Sequence, residues 1–132
     1  MNKIQSPQNL QLIISASIVI IVGLAYGVIP NTILPFLFNI EIHSIELQNI
    51  FRAMMGLYLA MGLFLILGAK YSKYWRVATL ISVMFTAGLA VGRIISTLFD
   101  GFSPFFTLAL VVELALMVWG IFNLKSQKYS NV

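Results

Sequence analysis

The sequence predicts an all-α fold, a membrane-spanning four-helix bundle with both termini on the cytoplasmic side. The first observation is composition, because hydrophobic residues make up 60% of the 132 residues and charged residues only 9%, with a mean hydropathy of +0.96. Such a chain has too little polar surface to cover a water-soluble core. The second is that four apolar segments are each long enough, at about 1.5 Å per residue, to cross about 30 Å of hydrocarbon. We therefore predict one integral membrane domain over residues 1–132.

The four predicted spans account for most of the chain. The first begins after a short polar lead that contains Lys3. No convincing small-residue cleavage site follows it, so we interpret it as a retained helix rather than a signal peptide. The predicted helices cover approximately residues 10–29, 50–69, 77–99 and 105–124.

The longest connection, residues 30–49, joins the first two spans and has too few apolar residues to cross the bilayer itself. We expect it to lie along the outer interface, either as a lid over the bundle or as an anchor with no ligand. Ser44 followed by Glu46 indicates the capped and acidic first turn of the second helix. His43 is the only histidine, and we interpret it as a solvated loop residue rather than a metal ligand.

The distribution of basic residues predicts the orientation. Lysine and arginine concentrate beside one set of span ends, and by the positive-inside rule those ends belong in the cytoplasm. These residues are Lys3, Lys70, Lys73, Arg76, Lys125 and Lys128. We interpret the net charge of +4 as orientation and contact with anionic lipid, and we expect no nucleic-acid partner. Tyr71, Tyr74 and Trp75 are expected to form an aromatic belt at this interface.

Composition also argues against catalysis. The chain has no cysteine, which excludes disulfides, thiolate metal sites and cysteine nucleophiles. An enzyme would need a nucleophile beside a base, or a metal beside a water, and no such arrangement stands out. We predict that the protein is not an enzyme and that it holds no cofactor and no metal.

Arg93 and Glu113 carry opposite charges into predicted spans. A charge at the centre of a spanning helix costs roughly 2.5 to 3.5 kcal/mol on insertion scales, so intramembrane charges are candidates for function and need partners. Counting from the outer turn near residues 100–104, Arg93 lies about 10 Å deep and Glu113 about 13 Å deep. The two residues lie at compatible depths, and we predict an intramembrane ion pair.

Helical geometry gathers further polar residues near this pair. At about 100° per residue, Ser96 and Asp100 share the sector of Arg93 on the third helix, while Gly88 and Gly92 form a spacing that permits close helix packing. We predict a ligand-binding cluster in the outer half of the bundle. It comprises Arg52, Arg93, Ser96, Asp100 and Glu113. In an alternative arrangement Asp100 pairs with Arg52 at the rim, and the other two charges form a deeper pair.

Three features together resemble a family of small bacterial integral membrane proteins classed as a domain of unknown function. They are F-R-A-M-M-G-L-Y over residues 51–58, G-R-I-I-S-T-L-F-D-G over residues 92–101, and Glu113 in the fourth helix. The likeness extends from the first helix to about Leu124. It implies four transmembrane helices, a place in the bacterial cytoplasmic (inner) membrane, and importance for Arg52, Arg93, Ser96, Asp100 and Glu113. It implies no activity.

Three functions remain open at this point. The first is binding of a lipid-like or anionic amphipathic molecule at the charged cluster, since arginine binds carboxylate or phosphate bidentately. The second is a non-catalytic accessory subunit in which the ion pair is structural. The third is a small proton-coupled transporter, although the small multidrug exporters match only in size, and Arg93 beside Glu113 would repel their cationic substrates. The expected partners are membrane lipid, a lipid-like ligand, and either further copies of the chain or a larger membrane complex.

Overall fold

The computed structural model describes residues 7–130, with side chains described for residues 8–126. Every regular element in this part of the chain is helical, which confirms the all-α prediction. The helices are α1 (Pro7–Gly27), α2 (Pro30–Phe38), α3 (Ile45–Lys70), α4 (Ser72–Phe99) and α5 (Pro104–Ser130). Lys3 lies outside the described residues, as does the side chain of Lys128.

Four of these helices are long and apolar enough to cross a membrane. The spans are Gln8–Gly27, Ile45–Lys70, Ser72–Phe99 and Pro104–Ser126. They correspond in number and order to the four predicted from the sequence. The protein is therefore an all-α, multi-pass membrane protein.

The chain divides into two compact units. One contains the described residues up to Leu12 and from Leu67 onwards, and we call it the terminal unit; the other, residues Ile13–Ile66, is the central unit. Both boundaries fall inside helices, α1 and α3, rather than in loops.

In the central unit, glycines allow α1 and α3 to approach closely. A Cβ atom placed on Gly23 would lie 2.7 Å from Cβ of Tyr58, and one placed on Gly27 would collide with the Met55 side chain. On α3, Gly62 faces Ile20 in the same way. Small residues at helix contacts favour such packing in membranes, where backbone proximity maximises dispersion.

The short helix α2 was not predicted. Pro30 occupies the start of the helix, where its fixed φ is favourable and its missing N–H costs nothing. Pro35 lies inside the helix and removes one backbone donor. The helix ends at Asn39, which has a left-handed φ of 56° and donates its N–H to the Pro35 carbonyl at 3.0 Å.

The second and third spans begin earlier than predicted. Helix α3 begins at Ile45 rather than at residue 50, and the predicted cap is confirmed because the Leu47 N–H donates to Ser44 Oγ at 3.0 Å and Glu46 lies in the first turn. Helix α4 begins at Ser72 rather than at Val77. The polar residues at these ends are helical although they lie outside the apolar stretches from which the spans were predicted.

The terminal unit packs through small and polar side chains. A Cβ on Gly68 would collide with Ala78, and one on Gly120 would lie 2.6 Å from Val83. Between α1 and α4, Gln11 Nε2 donates to Ser82 Oγ at 3.1 Å, and both residues are buried. This interhelical hydrogen bond was not anticipated. It joins two buried polar side chains across the contact between the helices.

The aromatic residues at the start of α4 divide into two kinds. Tyr71 and Tyr74 are exposed, with Lys73 Nζ lying 5.0 Å from the Tyr74 ring centroid. Trp75 is only 5% exposed, so its predicted place in an aromatic belt is wrong. It shares the buried face of α4 with Ala78, one turn further along.

Candidate functional site

The turn between α4 and α5 positions the charged residues. Asp100 ends α4, with its backbone N–H donating to the Ser96 carbonyl at 2.7 Å. Gly101 then adopts a φ of +107°, which residues with a Cβ rarely occupy, and α5 begins at Pro104. This short connection makes α4 and α5 neighbours within the terminal unit.

Arg93 on α4 and Glu113 on α5 form an ion pair. The Arg93 Nε–H lies 2.8 Å from each of the two Glu113 carboxylate oxygens, so a single donor is shared symmetrically between them. The Glu113 side chain is 10% exposed and the Arg93 side chain is 19% exposed. The contact expected from counting helical depth is present, and the carboxylate is the more enclosed partner.

The central carbon and the two terminal nitrogens of the Arg93 guanidinium have a different environment from Nε. Its Cζ lies 5.1 Å from the centroid of the Phe106 ring, a distance typical of a cation–π contact. Within the described residues, the terminal nitrogens Nη1 and Nη2 donate no hydrogen bond. Their N–H groups are therefore available to an acceptor that is not part of the described chain.

Phe106 was missed as a site residue, although the sequence contains the signal. It precedes Glu113 by two helical turns, which places both side chains on nearly the same face of α5. Because α5 is apolar almost throughout, one phenylalanine among many gave no reason to select this ring without a known partner.

Ser96 and Asp100 form a local pair of their own. Ser96 Oγ donates to Asp100 Oδ2 at 2.9 Å, and both side chains are exposed near the end of α4. They share a helix face with Arg93, but neither hydrogen-bonds to its side chain or to Glu113 in the described part of the chain. The structure thus places two polar pairs along one side of the α4–α5 hairpin.

Arg52 lies on α3 in the central unit, and its side chain is exposed. Its membership of the cluster, and the alternative pairing with Asp100, stay predictions.

The glycine spacing on α4 behaves differently from expectation. Gly88 and Gly92 are exposed, and a Cβ placed on either would meet no atom of the described residues within 4 Å. Within the described chain, no neighbouring backbone makes the close approach that this spacing permits. This face of α4, immediately before Arg93, is open.

The connection between α2 and α3 holds the only histidine of the sequence. His43 is an exposed loop residue, as predicted, and its Nε2 lies 2.8 Å from Glu41 Oε2. Across the described residues, no three side chains of histidine, cysteine, aspartate or glutamate are grouped so that they could hold a metal ion.

Comparison with known proteins gives a family and no activity. A family model described as a domain of unknown function (DUF4345) matches residues 7–124. No curated protein and no solved structure gave a significant match. The matched residues include nearly all of the four candidate spans, together with the Arg93–Glu113 pair. The chain belongs to the DUF4345 family, and it is a multi-pass member with a salt bridge between its last two helices.

Proposed function

We propose that this protein binds the anionic group of a lipid-like molecule at Arg93. The observation that carries the proposal is the one-sided pairing of the guanidinium. Glu113 accepts only from Nε, and the terminal N–H groups have no acceptor among the described residues. A guanidinium can present its two terminal nitrogens as a fork to a carboxylate or a phosphate, which gives two parallel hydrogen bonds.

Glu113 has a specific part in this proposal. An arginine without a counter-charge is costly inside a bilayer. Glu113 offsets that cost while the site is empty, and it contacts the guanidinium on the Nε side alone. Phe106 covers part of the guanidinium as well. Together these contacts hold Arg93 in one orientation, in which its two terminal nitrogens are available to a ligand.

The surroundings suit an amphipathic ligand. Ile94 and Val112, which adjoin the pair in sequence, are both exposed. An acyl chain would find apolar contacts along this surface. Asp100, whose carboxylate accepts from Ser96, supplies a negative charge for the ammonium of a zwitterionic headgroup.

The test uses native mass spectrometry of the protein in mild detergent, with oleate as the anionic probe and oleyl alcohol as its neutral counterpart. We expect the wild-type protein to retain oleate in preference to the alcohol. Arg93→Gln should abolish that preference. Arg93→Lys, which keeps the charge and can still pair with Glu113, should weaken it because lysine lacks the planar fork.

Arg76→Gln is the matched control, because Arg76 is an exposed arginine at the start of α4, away from the pair in sequence. It should retain oleate as the wild type does. Equal retention of oleate by the wild type and both Arg93 variants would contradict the proposal.

The open face of Gly88 and Gly92 favours one alternative, a non-catalytic accessory subunit whose ion pair fixes the packing of α4 against α5. Exposed glycines on a spanning helix permit close approach by a helix of another chain. If neither probe binds and only bulk lipid is retained, this alternative is preferred. Crosslinking from Gly88→Cys would then identify the neighbouring chain.

A further inference from the structure

Helix α2 in the central unit has a buried side and an uncharged exposed side, on which Phe36 lies one turn after the exposed Thr32. Leu34 is fully buried, and Pro30 lies on the same side. Phe36 is 87% exposed and projects about 200° around the helix from Leu34. No residue in Pro30–Phe38 is charged. An exposed face of this composition is unusual for a segment surrounded by water.

The length and position of α2 restrict where it can lie. Its 9 residues cover about 14 Å, less than half of a hydrocarbon core. It follows directly after a span that ends at Gly27 and precedes a span that begins at Ile45. The helix therefore lies beside two span ends, and it cannot cross the bilayer itself.

Aromatic contacts hold α2 to these span ends. The Tyr26 ring near the end of α1 lies 6.3 Å from the Phe38 ring at the end of α2 and 6.1 Å from the Phe51 ring on α3, measured between centroids. Because Phe38 is fixed in this way and Leu34 is buried, the side of α2 that carries Phe36 has a fixed direction.

We propose that α2 is an interfacial helix, with Phe36 inserted among lipids at the membrane–water boundary beside the ends of α1 and α3. The occupant of its exposed face is lipid because the apolar surface is continuous with that of the adjoining spans. Val28 and Ile29 lead into α2 with about half of each side chain exposed, and Ile45 is 80% exposed where α3 begins. Phenylalanine and leucine are typical of the lipid-facing side of an interfacial helix, and a helix satisfies its own backbone there.

The absence of cysteine from the sequence makes a direct depth measurement possible. Phe36→Cys, Glu41→Cys and Leu57→Cys are each spin-labelled in the full chain and reconstituted in phosphatidylcholine vesicles. Collision with oxygen, which concentrates in lipid, and with a water-soluble nickel complex then reports the depth of each label. Glu41 is the aqueous reference, and Leu57, 61% exposed near the middle of α3, is the hydrocarbon reference.

The label at position 36 should show an oxygen-to-nickel collision ratio several-fold above that at position 41 and below that at position 57. A ratio equal to the aqueous reference would place α2 in water and overturn the proposal. A label reached by neither reagent would show that protein covers this face, which would also overturn it. Since Phe36 is exposed, the label should not disturb folding, and unchanged circular dichroism verifies this.

Discussion

At the scale of single residues, the ion pair shows how an arginine and a glutamate can share an apolar setting without using all of their bonding capacity. One Nε–H serves both carboxylate oxygens of Glu113, and the Phe106 ring lies close to the guanidinium carbon. The pair is mostly buried, but 19% of the Arg93 side chain is exposed. Such a pair fixes the relative positions of two helices and keeps hydrogen-bond donors available.

The energetic contributions of Arg93 and Glu113 should depend on each other. Glu113→Gln leaves Arg93 without its counter-charge, and we expect the free energy of unfolding to fall by up to roughly 3 kcal/mol. Combining it with Arg93→Gln should cost less than the sum of the two single changes, with a coupling of about 0.5 to 3 kcal/mol. Unfolding in mixed detergent micelles measures all four forms of the cycle. Strict additivity would mean that the two side chains do not interact.

The sequence was sufficient to predict this pair for a physical reason. A short turn fixes where two helices meet, so counting residues from it gives the depth of each charge. Trp75 could not be placed in the same way, because an aromatic residue near a span end is suited both to an interface belt and to a protein interior. Only its neighbours on the buried face of α4 decide between the two.

At the scale of helices, glycines divide into those that allow contact and those that face open space. Gly120 on α5 lies where a Cβ would be 2.6 Å from Val83 Cγ2 and 3.5 Å from Gln11 Nε2. A Cβ placed on Gly88 of α4 would have no atom of the described residues within 4 Å. Sequence spacing drew attention to Gly88 and Gly92, whereas the glycines that are packed lie elsewhere, because spacing alone does not reveal which side of a helix has a neighbour.

Alanine substitution distinguishes the two kinds of glycine. Gly120→Ala should destabilise the terminal unit by about 1 to 3 kcal/mol, because the added methyl group overpacks the contact with Val83. Gly88→Ala should be neutral or stabilising by up to about 1 kcal/mol, because alanine favours the helix and meets nothing. Thermal unfolding in detergent provides the comparison. Destabilisation by Gly88→Ala would indicate that another chain packs on this face.

The sequence predicted a helix boundary correctly where the apolar stretch of a span ends close to the end of its helix. The Ser44 cap was recognised from its residue type and its position before Glu46, and the observed hydrogen bond to Leu47 agrees. The first turns of α3 and α4 were missed because polar residues can be helical outside the apolar stretch of a span. Helix α2 was missed because proline can begin a helix as well as interrupt a chain.

At the scale of the whole molecule, acidic and basic residues lie at different connections along the chain. Three exposed basic side chains flank the connection from α3 to α4: Lys70, Lys73 and Arg76. The acidic residues Glu41 and Glu46 lie near the connection from α2 to α3, and Asp100 follows α4. Successive spanning helices put successive connections on alternate sides of a bilayer, so we expect these two groups of connections on opposite sides of the membrane.

The positive-inside rule then predicts that the α3–α4 connection and both termini lie in the cytoplasm. Because the chain has no native cysteine, Ser72→Cys and Glu41→Cys each provide a single labelling site. In intact cells a membrane-impermeant maleimide should label position 41 and should reach position 72 only after permeabilisation. The reverse pattern would invert the orientation.

The shared Nε–H of Arg93 also gives this side chain two classes of proton that exchange with solvent at different rates. The Nε proton is held between two carboxylate oxygens and should exchange slowly, whereas the Nη protons, with no described acceptor, should exchange rapidly. In a nitrogen-15 NMR spectrum the first class reports whether the salt bridge is intact. The second reports whether anything occupies the open edge, so one arginine records the integrity of the fold and the occupancy of the site as separate signals.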